Sequence, residues 1–161
     1  MWKNYGRILA EYMYIKDFRN LKLKKFIEIE NSNILEDINK KNKPVIFISG
    51  HFNNFELMAM QLEKYGVNLT AIYRPLNNIF LNKTMEKIRT HFICRKQIKK
   101  GRSGSRELVK NFKEGSSIAL MIDQRVREGI SVPFFQKSCS TTTIPAQLVK
   151  KFNIPVVPVY I

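Results

Sequence analysis

The sequence predicts an α/β fold, a mixed and largely parallel sheet flanked by helices. Three observations predict it. Compact apolar runs rich in β-branched residues recur at Pro44–Ser49 (PVIFIS), Ser117–Ile122 (SIALMI) and Pro155–Ile161 (PVVPVYI), and each suits a strand buried on both faces. Segments of helical periodicity separate these runs, which gives the strand–helix alternation of a parallel sheet. The 161 residues, 44% of them hydrophobic, are enough for one domain with a sizeable core and exclude a disordered chain.

Taken in order, Trp2 to Phe18 has Tyr5, Ile8, Leu9, Tyr12 and Ile15 at helical spacing with Lys3, Arg7, Glu11 and Lys16 between them, an amphipathic helix. Phe26 to Ile29 alternates as a short strand. Asn31 or Ser32 caps a short helix reaching Lys40. After the strand at Pro44–Ser49 comes a helix from Asn53 to Lys64, a strand at Leu69–Tyr73 and a helix at Ile79–Phe92. A further helix, Arg102–Lys113, is ended by Gly115. The strand at Ser117–Ile122, a helix at Thr142–Phe152 and the strand at Pro155–Ile161 complete the series. No repeat, low-complexity segment or linker interrupts it, so residues 1–161 are expected to form a single domain.

Charge is the unusual bulk feature. Twenty-eight Lys and Arg against 13 Asp and Glu give +15, and between Ile79 and Gly115 eleven basic residues face three glutamates. Such a surface attracts phosphates on lipid, nucleic acid or an acidic protein. Two cysteines and two histidines supply neither a disulfide framework nor the ligands of a usual zinc site. The first residues lack the apolar core of a signal peptide, and no run approaches a spanning helix.

Chemistry-bearing residues cluster where strands give way to helices, the place where open α/β sheets build sites. His51 and Glu56 lie in GHFNNFE after the first buried strand. Five helical residues would set them about 140° apart, so they converge only if His51 stays in the turn. Glu56 would then hold one imidazole nitrogen and leave the other as a general base, or both are a turn histidine and a solvent-facing glutamate. In YRPLNN, Arg74 can grip a phosphate or carboxylate, or be an ordinary solvated side chain. Asn77 or Asn78 caps the next helix, whose N-terminus favours anions. KKGRSGSR, containing Arg102, is either an electropositive cradle or a flexible basic loop, and it has neither the Walker nor the dinucleotide glycine pattern. Asp123 ends a strand as a substrate ligand, a loop brace or a turn cap. VPFF at Val132–Phe135 lines an acyl pocket or fills the core, and one of Thr141–Thr143 is an N-cap.

In order, the blocks GHFNNFE, YRPLNN, KGRSGSREL, DQRVREGISVPFF, TTT and IPVVPVY resemble the lysophospholipid acyltransferase-like superfamily. Within it the chain is similar to the lipid A biosynthesis (late) acyltransferases, because His51-x4-Glu56 carries glutamate where the wider superfamily has aspartate. The resemblance covers nearly the whole chain. It implies the glycerolphosphate acyltransferase-like form of the α/β fold. It also implies transfer of an acyl chain from acyl carrier protein to a hydroxyl of a Kdo-bearing lipid A precursor, at the cytoplasmic face of the inner membrane, without metal or organic cofactor. By the same resemblance His51 is the base and Glu56 its partner. Arg74, Asn78, Arg89, Arg102 and Asp123 are the substrate-binding candidates, with Arg89 the more loosely aligned of the arginines.

Two departures stand out. Family members are longer and carry an N-terminal membrane anchor, whereas this sequence starts inside a helical pattern and stops on an apolar strand, so a shortened member is expected. Gln136 stands where a glycine commonly follows VPFF. An inactive remnant, a glycerophospholipid acyltransferase and a nucleic-acid-binding module are the alternatives. The last rests on charge alone, since no nucleic-acid motif occurs, and no nucleic-acid partner is expected.

Overall fold

The computed structural model describes residues 2–127 and 129–161. Helix α1 (Trp2–Glu11) passes through a tight 3-10 turn at Tyr12–Tyr14 into α2 (Ile15–Arg19), then a second 3-10 turn and α3 (Ser32–Lys41). The alternating part follows: β1 (Ile46–Ser49), α4 (Phe55–Lys64), β2 (Leu69–Tyr73), α5 (Ile79–Ile88), β3 (Lys96–Lys99), α6 (Arg102–Lys113) and β4 (Ser117–Met121). A hairpin of β5 (Ile130–Phe134) and β6 (Lys137–Thr141) precedes α7 (Ile144–Phe152) and β7 (Val156–Pro158). Among the described residues, no helix is long and apolar enough to cross a membrane.

The five main strands are all parallel, in the order β3-β2-β4-β1-β7. Alternation along each strand sends side chains to opposite faces. Phe47 joins Leu57, Met60 and Ile93 on the face covered by α4, while Ile46, Ile118 and Leu120 join Leu108, Phe112 and Leu148 on the face covered by α6 and α7. The predicted α/β class with a parallel sheet between helical layers is the observed architecture. Gly115 ends α6 as the sequence suggests: at φ +84 its N–H reaches the Phe112 carbonyl and the next N–H reaches Asn111, a Schellman closure.

Three expectations change. The N-terminal helix is not continuous to Phe18: a 3-10 turn at Tyr12–Tyr14 interrupts it, with Ile8 before it and Ile15 after it buried and Met13 within it 83% exposed. Phe26–Ile29 is not a strand: Lys24–Phe26 is a 3-10 turn, and the residues after it, from the extended Ile27, pair with no strand among the described residues. VPFF neither fills the core nor lines the main cleft. It forms β5 and the hairpin tip, leaving Phe135 85% exposed. Phe135 and Gln136 both take positive φ, 47° and 64°, the two-residue turn that matches strand twist and that glycine adopts most readily.

Candidate active site

From β1 the chain steps over to β2 and β3. From β4, which lies beside β1, it crosses β1 to reach β7. The carboxyl ends of β1 and β4 therefore flank the point where the connections diverge, the crevice in which open sheets bind ligands. Ser49 is paired with Met121, so the residues two positions further, His51 and Asp123, emerge side by side. The His51 backbone N–H donates to Asp123 Oδ2 at 2.7 Å, and ring Nδ1 lies 2.8 Å from Oδ1. Gly50 permits this closeness, because a Cβ there would stand 3.2 Å from Asp123 Oδ2 and 2.8 Å from the Phe52 ring. The imidazole also meets the Phe55 ring edge-on, with centroids 4.9 Å apart.

With Nδ1–H donated to the carboxylate, Nε2 is the unprotonated nitrogen. Gln124 Nε2 lies 3.4 Å from it. Partial burial pushes the Asp123 carboxyl pKa up, but the backbone and ring hydrogen bonds from His51, with its coulombic pull, bring it below its ordinary value.

Glu56 is not the partner of His51. It lies in the first turn of α4, whose N-cap Asn54 accepts from Leu57 N, and the residue is buried at 6% exposure. A carboxylate so placed needs a cation, and Arg89 provides it. Arg89 is the first residue of a π-helical turn (Arg89–Ile93) that follows α5, and its Nε and Nη2 reach Glu56 Oε1 at 2.9 and 2.5 Å. The Tyr12 hydroxyl donates to the same oxygen at 2.5 Å. Burial opposes the Arg89 charge, yet Glu56 and Tyr12 together, through charge and hydrogen bonds, raise the guanidinium pKa. Burial, then Glu56, push the Tyr12 phenol well above its usual range, so it stays a donor. Arg89 also lies over the Tyr73 ring, 6.0 Å from its centroid.

Beside these groups a cleft of about 530 Å³ runs along the carboxyl ends of the strands. His51, Gln124, Glu56 and Arg89 line it, as do Arg74 and Lys100, while Leu108, Leu148 and Ile144 give it an apolar flank. Arg74 is exposed at its margin. Asn78 spends its side-chain oxygen capping α5, accepting from Phe80 N and Leu81 N at 3.0 Å each. Of the threonines, Thr142 Oγ1 accepts from Ile144 N at 3.3 Å. The Arg102 side chain lies outside the described residues.

Of the residues expected from the sequence, His51, Glu56, Arg74 and Arg89 line the cleft, the His51 ring pairs with Asp123 rather than with Glu56, and Tyr12, read only as part of an amphipathic face, bonds to Glu56. A family model, bacterial lipid A biosynthesis acyltransferase, matches residues 1–161, the whole chain. The chain belongs to this family. No curated protein sequence matches it. The cleft of this acyltransferase combines an oriented imidazole with cations and an apolar flank.

Proposed function

We propose that the chain transfers a fatty acyl group from the thioester of acyl carrier protein to a hydroxyl of a Kdo-bearing lipid A precursor, at the cytoplasmic face of the inner membrane. The observation that carries this reading is the Asp123–His51 pair at the head of the cleft, with Nε2 left to accept a proton. Nε2 takes the acceptor hydroxyl proton as that oxygen attacks the thioester carbonyl carbon. The tetrahedral intermediate collapses by breaking the C–S bond, and the imidazolium returns its proton to the leaving thiolate. Asp123 holds the tautomer and stabilises the imidazolium, a positioning task like that of a triad carboxylate. Gln124, with its amide 3.4 Å from Nε2, is a side-chain donor beside the reacting atoms that can serve the developing oxyanion.

Arg74 and Lys100 on the cleft, with Arg102 beyond them in sequence, take the acceptor phosphates. Arg89 is committed to Glu56, and the pair forms a fixed polar wall of the site. The surplus of basic residues favours an acidic carrier protein and anionic lipid.

The test is acyl transfer by purified wild type and His51→Ala, using carrier protein loaded with labelled acyl chains and a Kdo-lipid A precursor in detergent. Label should enter the lipid with wild type. With His51→Ala the rate should fall by ~10²–10⁴, the value of a positioned base, at an unchanged melting temperature. Transfer at the wild-type rate by His51→Ala overturns the mechanism, and no transfer by folded wild type overturns the function.

A further inference from the structure

The turn that carries His51 is gripped from a second direction. Residues 43 to 49 positions earlier in the chain make three hydrogen bonds to it and to the helix it opens. Asn4 Nδ2 donates to the Asn53 carbonyl at 3.1 Å, Asn54 Nδ2 donates to Glu11 Oε2 at 2.6 Å, and the Tyr12 hydroxyl donates to Glu56 Oε1 at 2.5 Å. All three come from α1 or the 3-10 turn that ends it.

The turn needs holding. Asn53 sits at φ +31, a conformation that a residue with a Cβ keeps only where its surroundings dictate it. Asn54 is buried, and its two side-chain ends face in opposite senses: the oxygen caps α4 through Leu57 N, and the amide is satisfied by Glu11. The N-terminal segment is also attached through apolar packing, by the buried Ile8 and Ile15 and by Tyr12 and Phe18 against the core. The polar contacts add direction to that attachment. They are directed at the segment between His51 and Glu56.

We propose that Glu11 and Tyr12 are positioning residues, which lock the turn bearing His51 and the Glu56–Arg89 pair into reactive register and so make the N-terminal helix a working part of the active site. The inference rests on the reading of His51 as the base. Glu11 acts through Asn54 on the path by which the chain leaves β1, and Asp123 anchors the ring from the other side. Tyr12 acts through Glu56, fixing the wall of the cleft against which substrate lies.

The test uses the full chain with Glu11→Ala, Glu11→Gln and Tyr12→Phe, each confirmed folded by its thermal melt. With only two histidines in the sequence, nitrogen-15 histidine labelling and a His51→Gln variant assign the His51 ring signals unambiguously. Glu11→Ala and Tyr12→Phe should each lower kcat by about tenfold or more with KM held within about twofold, since small misplacement of a reacting group costs rate rather than binding. Both should also shift or broaden the His51 ring nitrogen signals. Glu11→Gln, whose amide oxygen still accepts from Asn54, should restore both readouts. Unmoved His51 signals in the folded Glu11→Ala and Tyr12→Phe proteins, or an unchanged kcat, overturn the inference. If wild type transfers no acyl group, the proposed function falls separately, and the His51 signals alone decide: moved and rescued by Glu11→Gln sustains the positioning role, unmoved ends it.

Discussion

His51 and Asp123 meet through strand register, 72 positions apart in sequence, and the meeting sets what each is worth. Asp123→Asn keeps the shape but can donate to Nδ1 and so favour the wrong tautomer. The rate of acyl transfer is expected to drop on the order of 10²-fold or more, with the melt near neutral pH lowered by loss of the carboxylate's bonds to His51. The same residue shapes acid stability. Its folded pKa lies below the unfolded value of about 3.9, so its stabilisation is complete above about pH 4 and is lost as pH falls through the folded value. Asp123→Asn should therefore lessen the acid loss of stability below about pH 4, measured by denaturant melts at stepped pH. Glu56 behaves otherwise. Its partners are a buried guanidinium and a phenol, so Glu56→Ala strands the Arg89 charge and should cost about 3–5 kcal/mol in a denaturant melt. The sequence placed His51 and Glu56 at a strand end correctly. It was blind to the pairing, because five-residue spacing carries no information on a carboxylate arriving from β4 or a tyrosine from α1.

Elements were legible where burial was two-sided. β1 and β4 are apolar runs because both faces are covered, and their reading from sequence agrees with the structure to within a residue or two. β3 was missed for the opposite reason: KQIK buries only Ile98, and its lysines are the polar dressing of an edge strand rather than a core pattern. The hairpin was missed because its turn lacks the Asn-Gly or Asp-Gly signature, having Phe135 and Gln136 at positive φ instead. Helix ends were clear where a side chain closes them, as Asn78 does for α5. A consequence concerns Gln136. A non-glycine residue in the left-handed region costs roughly 1–2 kcal/mol, so Gln136→Gly should raise stability by about 1 kcal/mol once the added flexibility of the unfolded chain is deducted. Equilibrium unfolding of the two proteins checks this.

At the scale of the molecule, a parallel sheet sends every strand-to-helix connection to one edge. That edge holds the cleft and the exposed Phe52 after β1 and Phe80 after β2 (85% exposed), while the β5–β6 hairpin exposes Phe134 and Phe135. With +15 on the chain, binding to vesicles rich in anionic lipid should weaken steeply as salt rises from about 0.05 to 0.5 M, since each cation near such a surface contributes about 1 kcal/mol and screening removes it. Neutral vesicles should show no such slope in the same sedimentation assay. The strand order has another outcome, for synthesis on the ribosome. β1 and β2 are consecutive in the chain yet never touch, because β4 is inserted between them. The nascent chain must emerge beyond Met121 before β1 gains its first ladder neighbour, and on to Pro158 before it gains the second. Until then Ile46, Phe47 and Ile48 form an unpaired apolar ribbon, a segment open to non-native association and slow to find its place.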